Sequence, residues 1–303
     1  MFVKLSALIA TAVLSFAPAK YTVHAPDGWL VWHSYTAYSA MDSHLYYKTP
    51  DGTVKTIEGS FVHAMNGSFG TSPDKVAFMA IDQAADEWDI FVYNASDESI
   101  INMTEYSGFR NEDPKWSTDG KSIVFKRGRW NHDICGFKYD LALLDVESRQ
   151  VTMLTDDLTE EAMPCFSGDG KYIYYAGYKN GIGAIYRMDL KTKKRSTIYS
   201  ENGVNAYYPI TYNNDLYFTK WRSRNDHHDQ LMKFDGRRTV SMPFNTSQHD
   251  YSDICPVSGS SYIYSSTLNG DYDLFFFNGR ESIALTDFNS GKNELGADYF
   301  ALR

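Results

Sequence analysis

Cysteine is nearly absent from this sequence, with three residues in 303. That excludes a fold stapled by a disulfide framework, and without a CxxC pair there is no zinc-knuckle spacing either. In an oxidising compartment three cysteines allow one disulfide and one free thiol. Positive charge is short too: 29 Lys and Arg stand against 38 Asp and Glu, a net charge of −9. Nucleic acid is not an expected partner, because its affinity comes from a basic face. Past the first residues no apolar run approaches the roughly 20 residues that cross a bilayer, so no membrane span is expected. Helix-period patterns are hard to find as well.

The one long apolar run, Leu5 to Ala17, follows Lys4 and ends in the small-x-small tripeptide Ala17-Pro18-Ala19. This is the grammar of a cleaved export signal, which assigns residues 1–19 to a leader and 20–303 to a single mature domain. The expected location is secreted or extracellular, and periplasmic in a Gram-negative bacterium. A monomer is expected.

Aromatic residues are abundant, with 23 Tyr and 18 Phe. They sit in short alternating runs separated by Gly, Asn, Asp and Pro clusters, the pattern of many short antiparallel strands. The stretch "DPKWSTDGKSIVF" from Asp113 returns as "MPCFSGDGKYIYY" from Met163 and, more weakly, as "FGTSPDKVAF" from Phe69. Shortened copies are "YPITYNNDLYF" from Tyr208 and "CPVSGSSYIYS" from Cys255. Pro114, Pro164, Pro209 and Pro256 are spaced by about 45–50 residues, a period that signals a propeller or solenoid. A third strand follows the two of each copy, as in "DIFVY" at Asp89 or "DLFFFN" at Asp273, then a polar turn and a last short strand. One unit is therefore four strands, a to d, and six units are expected. The first unit lacks a strand a, and the C-terminal "ELGADYFALR" has that pattern, so it is expected to complete blade one and close the ring.

These repeats resemble the TolB-like, WD40-like propeller repeat, whose usual form is a proline, an aromatic, Ser-Pro-Asp-Gly-Lys, a hydrophobic strand, Asp-Ile-Tyr and a Leu-Thr ending. The likeness covers essentially the whole mature chain, strongly in blades three and four, fairly in two, and in degraded form in five and six. The sialidase Asp-box and the closing Trp-Asp of the WD repeat are not matched. The resemblance implies an all-β, six-bladed β-propeller. It does not imply one activity, because such propellers serve as binding platforms, peptidase gates and some polysaccharide lyases.

Within the repeat, Asp119-Gly120 and Asp169-Gly170 read as a–b turns and Trp116 and Phe166 as seam fillers. The strand-c residues Asp89, Asp140, Asp229 and Asp273 are expected to bond the preceding turn, and the charges of the opening motif to make turns. Function is expected where the repeat is broken, on the face that gathers the d–a and b–c loops. Aligning strand-a starts places Asn66, Asn111, Glu161, Ala206, Asp253 and Gly296 at the channel mouth, four of them amides or acids. Blade three carries an expanded b–c loop, "KRGRWNHDICGFKY", with Arg127, Arg129, Trp130 and His132. Blade five has Trp221, Arg222, Arg224 and His228, and blade one Trp32 and His33. Arginine forks bind carboxylates and aromatic faces stack on sugars, so an anionic sugar or acidic peptide suits this face.

The expected function is a binding module for a glycan or protein. The alternative is a carbohydrate-active enzyme, most plausibly a lyase on uronate-containing glycans. In that case His132, His228 or His249 is the candidate base and Arg129 or Arg224 neutralises the substrate carboxylate. Propeller oligogalacturonate lyases use a histidine-rich manganese site, but no ligand motif of theirs recurs here. No cofactor is expected of a binding module, and manganese or calcium enters only with the enzyme. A glycosidase pair of Glu161 with Asp253 is a further reading, as is a Cys135–Cys165 disulfide tethering the expanded loop.

Overall fold

A computed structural model describes residues 26–302 except 85, 158–159, 180, 223–227, 286–287 and 289. The leader assigned to residues 1–19 lies outside the described residues, as does Arg224. Six four-stranded antiparallel sheets follow one another around a central channel. The C-terminal strand, Asn293–Ala301, pairs with Gly28–Tyr35 and forms the inner strand of blade one. The ring closes as the repeat count requires, with the first and last strands of the chain hydrogen-bonded in one sheet. One 3-10 turn, Tyr38–Ala40, is the only helical element among the described residues.

The local code of the repeat accounts for each a–b hairpin. Ser117 Oγ donates to Asp119 Oδ1 at 2.7 Å, Lys121 N donates to the same oxygen at 3.1 Å, and Gly120 takes φ +69°. Ser167, Asp169, Lys171 and Gly170 repeat this one blade later at 2.7 and 3.1 Å, again with φ +69°. Trp116 packs with Trp88, Ile90 and Ala77 of blade two, and Phe166 with Val124 and Leu141 of blade three. Each such buried side chain contributes roughly 1.5–3 kcal/mol through the apolar area it removes from water. The seams, together with the layers within blades, are the core.

Two expectations need correction. Two of the four strand-c aspartates, Asp89 and Asp140, hold the loop that leads into the next blade, not the preceding turn, and Asp229 accepts from Tyr207 of its own blade. Asp89 accepts from Thr104 Oγ1 at 2.6 Å and from Asn102 and Asn111, while Asp140 accepts from the Asp157 amide at 2.9 Å. Asp273, which accepts from Asn269 at 2.8 Å, is bonded to the turn before it as expected. Secondly, the charges of the opening motif divide: Asp119 makes the turn, whereas Asp113 and Lys115 line the channel.

Every inner strand carries a β-bulge. Its first residue is Gly296, Asn66, Asp113, Met163, Tyr208 or Asp253 in blades one to six, with φ between 49° and 63°. In blades three to five the next residue is proline, which has no N–H and suits an interrupted ladder. Left-handed φ is uncommon for methionine or tyrosine, and here it belongs to the bulge at each ring position.

Candidate functional site

A bulge breaks the alternation of its strand and re-aims one side chain. Here all six bulge residues line the channel and form a ring within it. On the d–a and b–c side of the ring the channel opens into a funnel of about 360 Å³. Beyond the ring it narrows to about 50 Å³ between Lys115, Pro164, Pro209, Ile210, Ile254 and Ala297.

The funnel wall is tyrosine and carboxylate. Tyr35, Tyr38, Tyr207, Tyr208 and Tyr272 surround Glu112, Asp113, Asp229 and Asp253, with Lys126 as the one Lys or Arg among the described residues. Lys126 is spoken for, because its Nζ lies 2.9 Å from Glu112 Oε2 and 4.2 Å over the Tyr139 ring. Tyr207 donates its hydroxyl to Asp229 Oδ2 at 2.5 Å, and Asn66 donates Nδ2–H to Asp113 Oδ1 at 2.8 Å. Burial raises the pKa of Asp113 and pushes that of Asp253 up to about 6. Burial also drives His33 down to about 3, so its ring is neutral; His63 and Lys115 add to the shift. His33 Nδ1 accepts the Asn66 backbone N–H at 3.3 Å, which places its proton on Nε2.

Of the residues singled out in the sequence, Asn66, Asp253 and His33 are in this wall. Asn111, Glu161 and Ala206 stand two residues before their blades' ring positions, Asp113, Met163 and Tyr208, and lie outside the channel lining. Asn111 and Glu161 sit in seams. Asn111 donates to Asp89 Oδ1 at 3.2 Å, and Arg195 lies 3.0 Å from Glu161. Glu161 and Asp253 therefore do not flank one cleft. Trp32 is buried against Tyr46 and Phe288, at ring distances of 5.3 and 5.2 Å, and is part of the core. Arg127 donates Nε–H to Asn111 Oδ1 at 2.8 Å and stacks on Phe109, a structural role. Arg222 pairs with Glu201 at 3.0 Å, and Trp221 ends the neighbouring strand half-buried. His249 Nδ1 lies 3.2 Å from the Thr267 carbonyl, and half-buried His228 has no partner for Nδ1 among the described residues. Among the described residues no three His, Cys, Asp or Glu side chains come together in a way that could hold a metal ion.

The expanded loop is a projecting hairpin. Its two strands, Ser122–Asn131 and Gly136–Asp145, are each ten residues long. Trp130 is 53% exposed and meets Phe137 edge to face, Ile134 is 57% exposed, and Arg110 lies over the Phe137 ring. Arg129 is exposed, 3.8 Å from Asp156, and His132 is exposed near the tip. The expected Cys135–Cys165 bond is not formed. Cys135 sits exposed at the hairpin tip, whereas Cys165 is buried on an inner strand with its thiol pushed up to about 12 by burial.

Exposed apolar surface is concentrated on this side. Of thirteen exposed large hydrophobics among the described residues, eight (Tyr38, Met41, Val62, Tyr106, Trp130, Ile134, Phe137 and Ile182) lie around the funnel in blades one to four. The contributions that sequence reasoning missed are Asp113, Met163, Tyr208, Tyr207 and Tyr272. The signal for the first three is in plain view, as the residue before the repeat's proline.

No protein-family profile matches the chain. Among curated proteins it is 33% identical over 67 residues to the Tol-Pal system protein TolB of Roseobacter denitrificans, which covers 22% of this chain and 15% of that one. Its fold is similar to TolB from Acinetobacter baumannii, with a TM-score of 0.71 and 17% identity over 90% of this chain and 66% of that chain. Kuenenia stuttgartiensis hydrazine synthase gives a TM-score of 0.75 and 12% identity over 91% of this chain and 47% of that one. The propeller domain of the Trilobed protease from Pyrococcus furiosus gives 0.57 and 14%, covering 88% and 94%. This chain thus spans less than two thirds of the two TolB proteins. At these identities the structural likeness is one of fold.

Proposed function

For a chain with this TolB-like six-bladed propeller fold, we propose a protein-binding module whose contact surface is the d–a and b–c face around the funnel. The observation that carries the reading is the one-sided rim of exposed aromatic and aliphatic side chains over blades one to four. Tyr and Trp anchors, with arginine beside them, are the residue types in which interface energy concentrates. Apolar surface of this kind, gathered on one face and bordered by charge, marks a contact site. The name of the Roseobacter relative, a Tol-Pal system protein, fits a chain that works in an assembly. The export signal read from residues 1–19 supports an assembly outside the cytoplasm.

A protein partner is favoured over a uronate glycan. Arg127 and Arg222 are engaged within the protein, and the funnel would hold an anionic sugar against four carboxylates. Coulombic repulsion at such distances is unfavourable even when screened.

The reading is tested with a photo-crosslinking residue placed at Trp130 or Ile134, and a control at Lys121 in an a–b turn of the opposite face. In extracts of the source cell, a discrete partner should crosslink from the hairpin and not from the turn. Equal labelling from both faces, or none from the hairpin, would remove the proposal.

A further inference from the structure

The ring holds more negative charge than the protein neutralises. Asp113 belongs to blade three and Asp253 to blade six, which stand opposite each other in a six-bladed ring. Asp113 is only 8% exposed; its Oδ1 takes the Asn66 amide, and no protein donor reaches Oδ2 among the described residues. Glu112 pairs with both Lys126 and Arg110, and Lys126 also attracts Asp113. Asp253 and Asp298 share Lys115, beyond the ring, as the one cation that attracts them among the described residues, so these two carboxylates exceed it. A second orphan has the opposite polarity: His33 is 3% exposed, lines the funnel and carries Nε2–H with no protein acceptor among the described residues. Tyr35, Tyr208 and Tyr272 supply aromatic wall between these groups.

We propose that the ring binds a primary ammonium group, carried into the funnel by an extended segment of the bound partner. The ammonium sits between Asp113 and Asp253, its alkyl stem lies along the tyrosine faces, and a neighbouring carbonyl oxygen accepts from His33 Nε2–H. The ammonium satisfies the carboxylate orphan and the carbonyl the imidazole one, a combination that neither a bare cation nor an apolar side chain offers. A lysine side chain and a free amino terminus share this chemistry. The inference rests on the protein-binding reading only in assigning the segment to a protein.

The test uses the full chain and three probes by calorimetry: trialanine amide with a free amino terminus, its N-acetyl form, and N-acetyl-lysine methylamide. At least one amine probe should bind saturably, and acetylated trialanine should bind about tenfold more weakly or not at all. Preference between the two amines identifies terminus or side chain. Asp113→Asn and Asp253→Asn should each weaken the amine probe by about tenfold or more, since each removes one charge of the pair. Asparagine tolerates left-handed φ, and unchanged melting temperatures establish that each variant folds. Equal binding of free and acetylated peptides, or an Asp113→Asn variant that binds like the parent, overturns the ammonium site. If a partner still crosslinks from Trp130 while the amine probes are silent, this inference fails and the protein-binding reading stands. Amine binding with no crosslinked partner does the reverse.

Discussion

Asn66 donates its side-chain amide to Asp113 Oδ1 at 2.8 Å, across the seam between blades two and three. The bond joins two ring positions whose backbones are both left-handed, at φ +55° and +57°. It also opposes the effect of burial, which raises the Asp113 pKa. Replacing Asn66 with Ala removes the donor and leaves a buried acceptor short of a partner. The expected result is a loss of about 1–3 kcal/mol in urea denaturation. In a carbon-detected NMR titration the Asp113 carboxyl should move further upward, and an unchanged titration would show that the bond does not tune it.

Glu161 sets a pH dependence. Burial pushes its pKa from 4.5 up to about 7, against the pull of Arg195. A carboxyl raised in the folded state binds more protons there than in the unfolded chain between those values. Its contribution is therefore full below pH about 4.5 and falls as pH rises toward 7, by roughly 2–3 kcal/mol. Asp253, raised to about 6, acts with the same sign. Glu161→Gln should flatten the difference in melting temperature between pH 5 and pH 7.5. A parallel profile in parent and variant would remove Glu161 from the account.

The two tryptophans of blade three should part company. Trp116 fills a seam, so Trp116→Ala should cost about 3–5 kcal/mol. Trp130 is exposed, and Trp130→Ala should change stability by no more than about 0.5 kcal/mol while reducing partner affinity about tenfold or more. Chemical denaturation and binding measured on the same preparations separate the two effects.

One of the three cysteines should react with a thiol reagent in the native protein, and all three in denaturant. Cys135 is exposed, whereas Cys165 and Cys255 are buried on inner strands with their thiols pushed up. Cys135→Ser should abolish native reactivity and leave the melting temperature unchanged. A native protein with no reactive thiol would restore the disulfide.

The blade count, the a–b turns and the closing strand were legible in the sequence because each is a local matter. Ser117, Asp119 and Gly120 sit within four residues of one another, and the same trio at Ser167, Asp169 and Gly170 repeats the geometry. The expanded hairpin was legible as an interruption of the period. Which of the singled-out side chains the fold engages internally was not legible, since burial and pairing cannot be read from composition. Trp32 went to the core, Arg127 to Asn111, and His249 to a loop carbonyl.

By itself, then, the sequence determined the architecture: a turn code and an alternating pattern recur often enough that only a closed ring of six blades satisfies them. The tertiary structure decided the chemistry of the channel. Each blade contributes one bulge residue to the ring, 43–50 positions from the next, and a one-residue bulge changes which side chain turns inward. Asp113 and Asp253 acquire their common environment only when the last strand closes the ring, and no local pattern records that meeting.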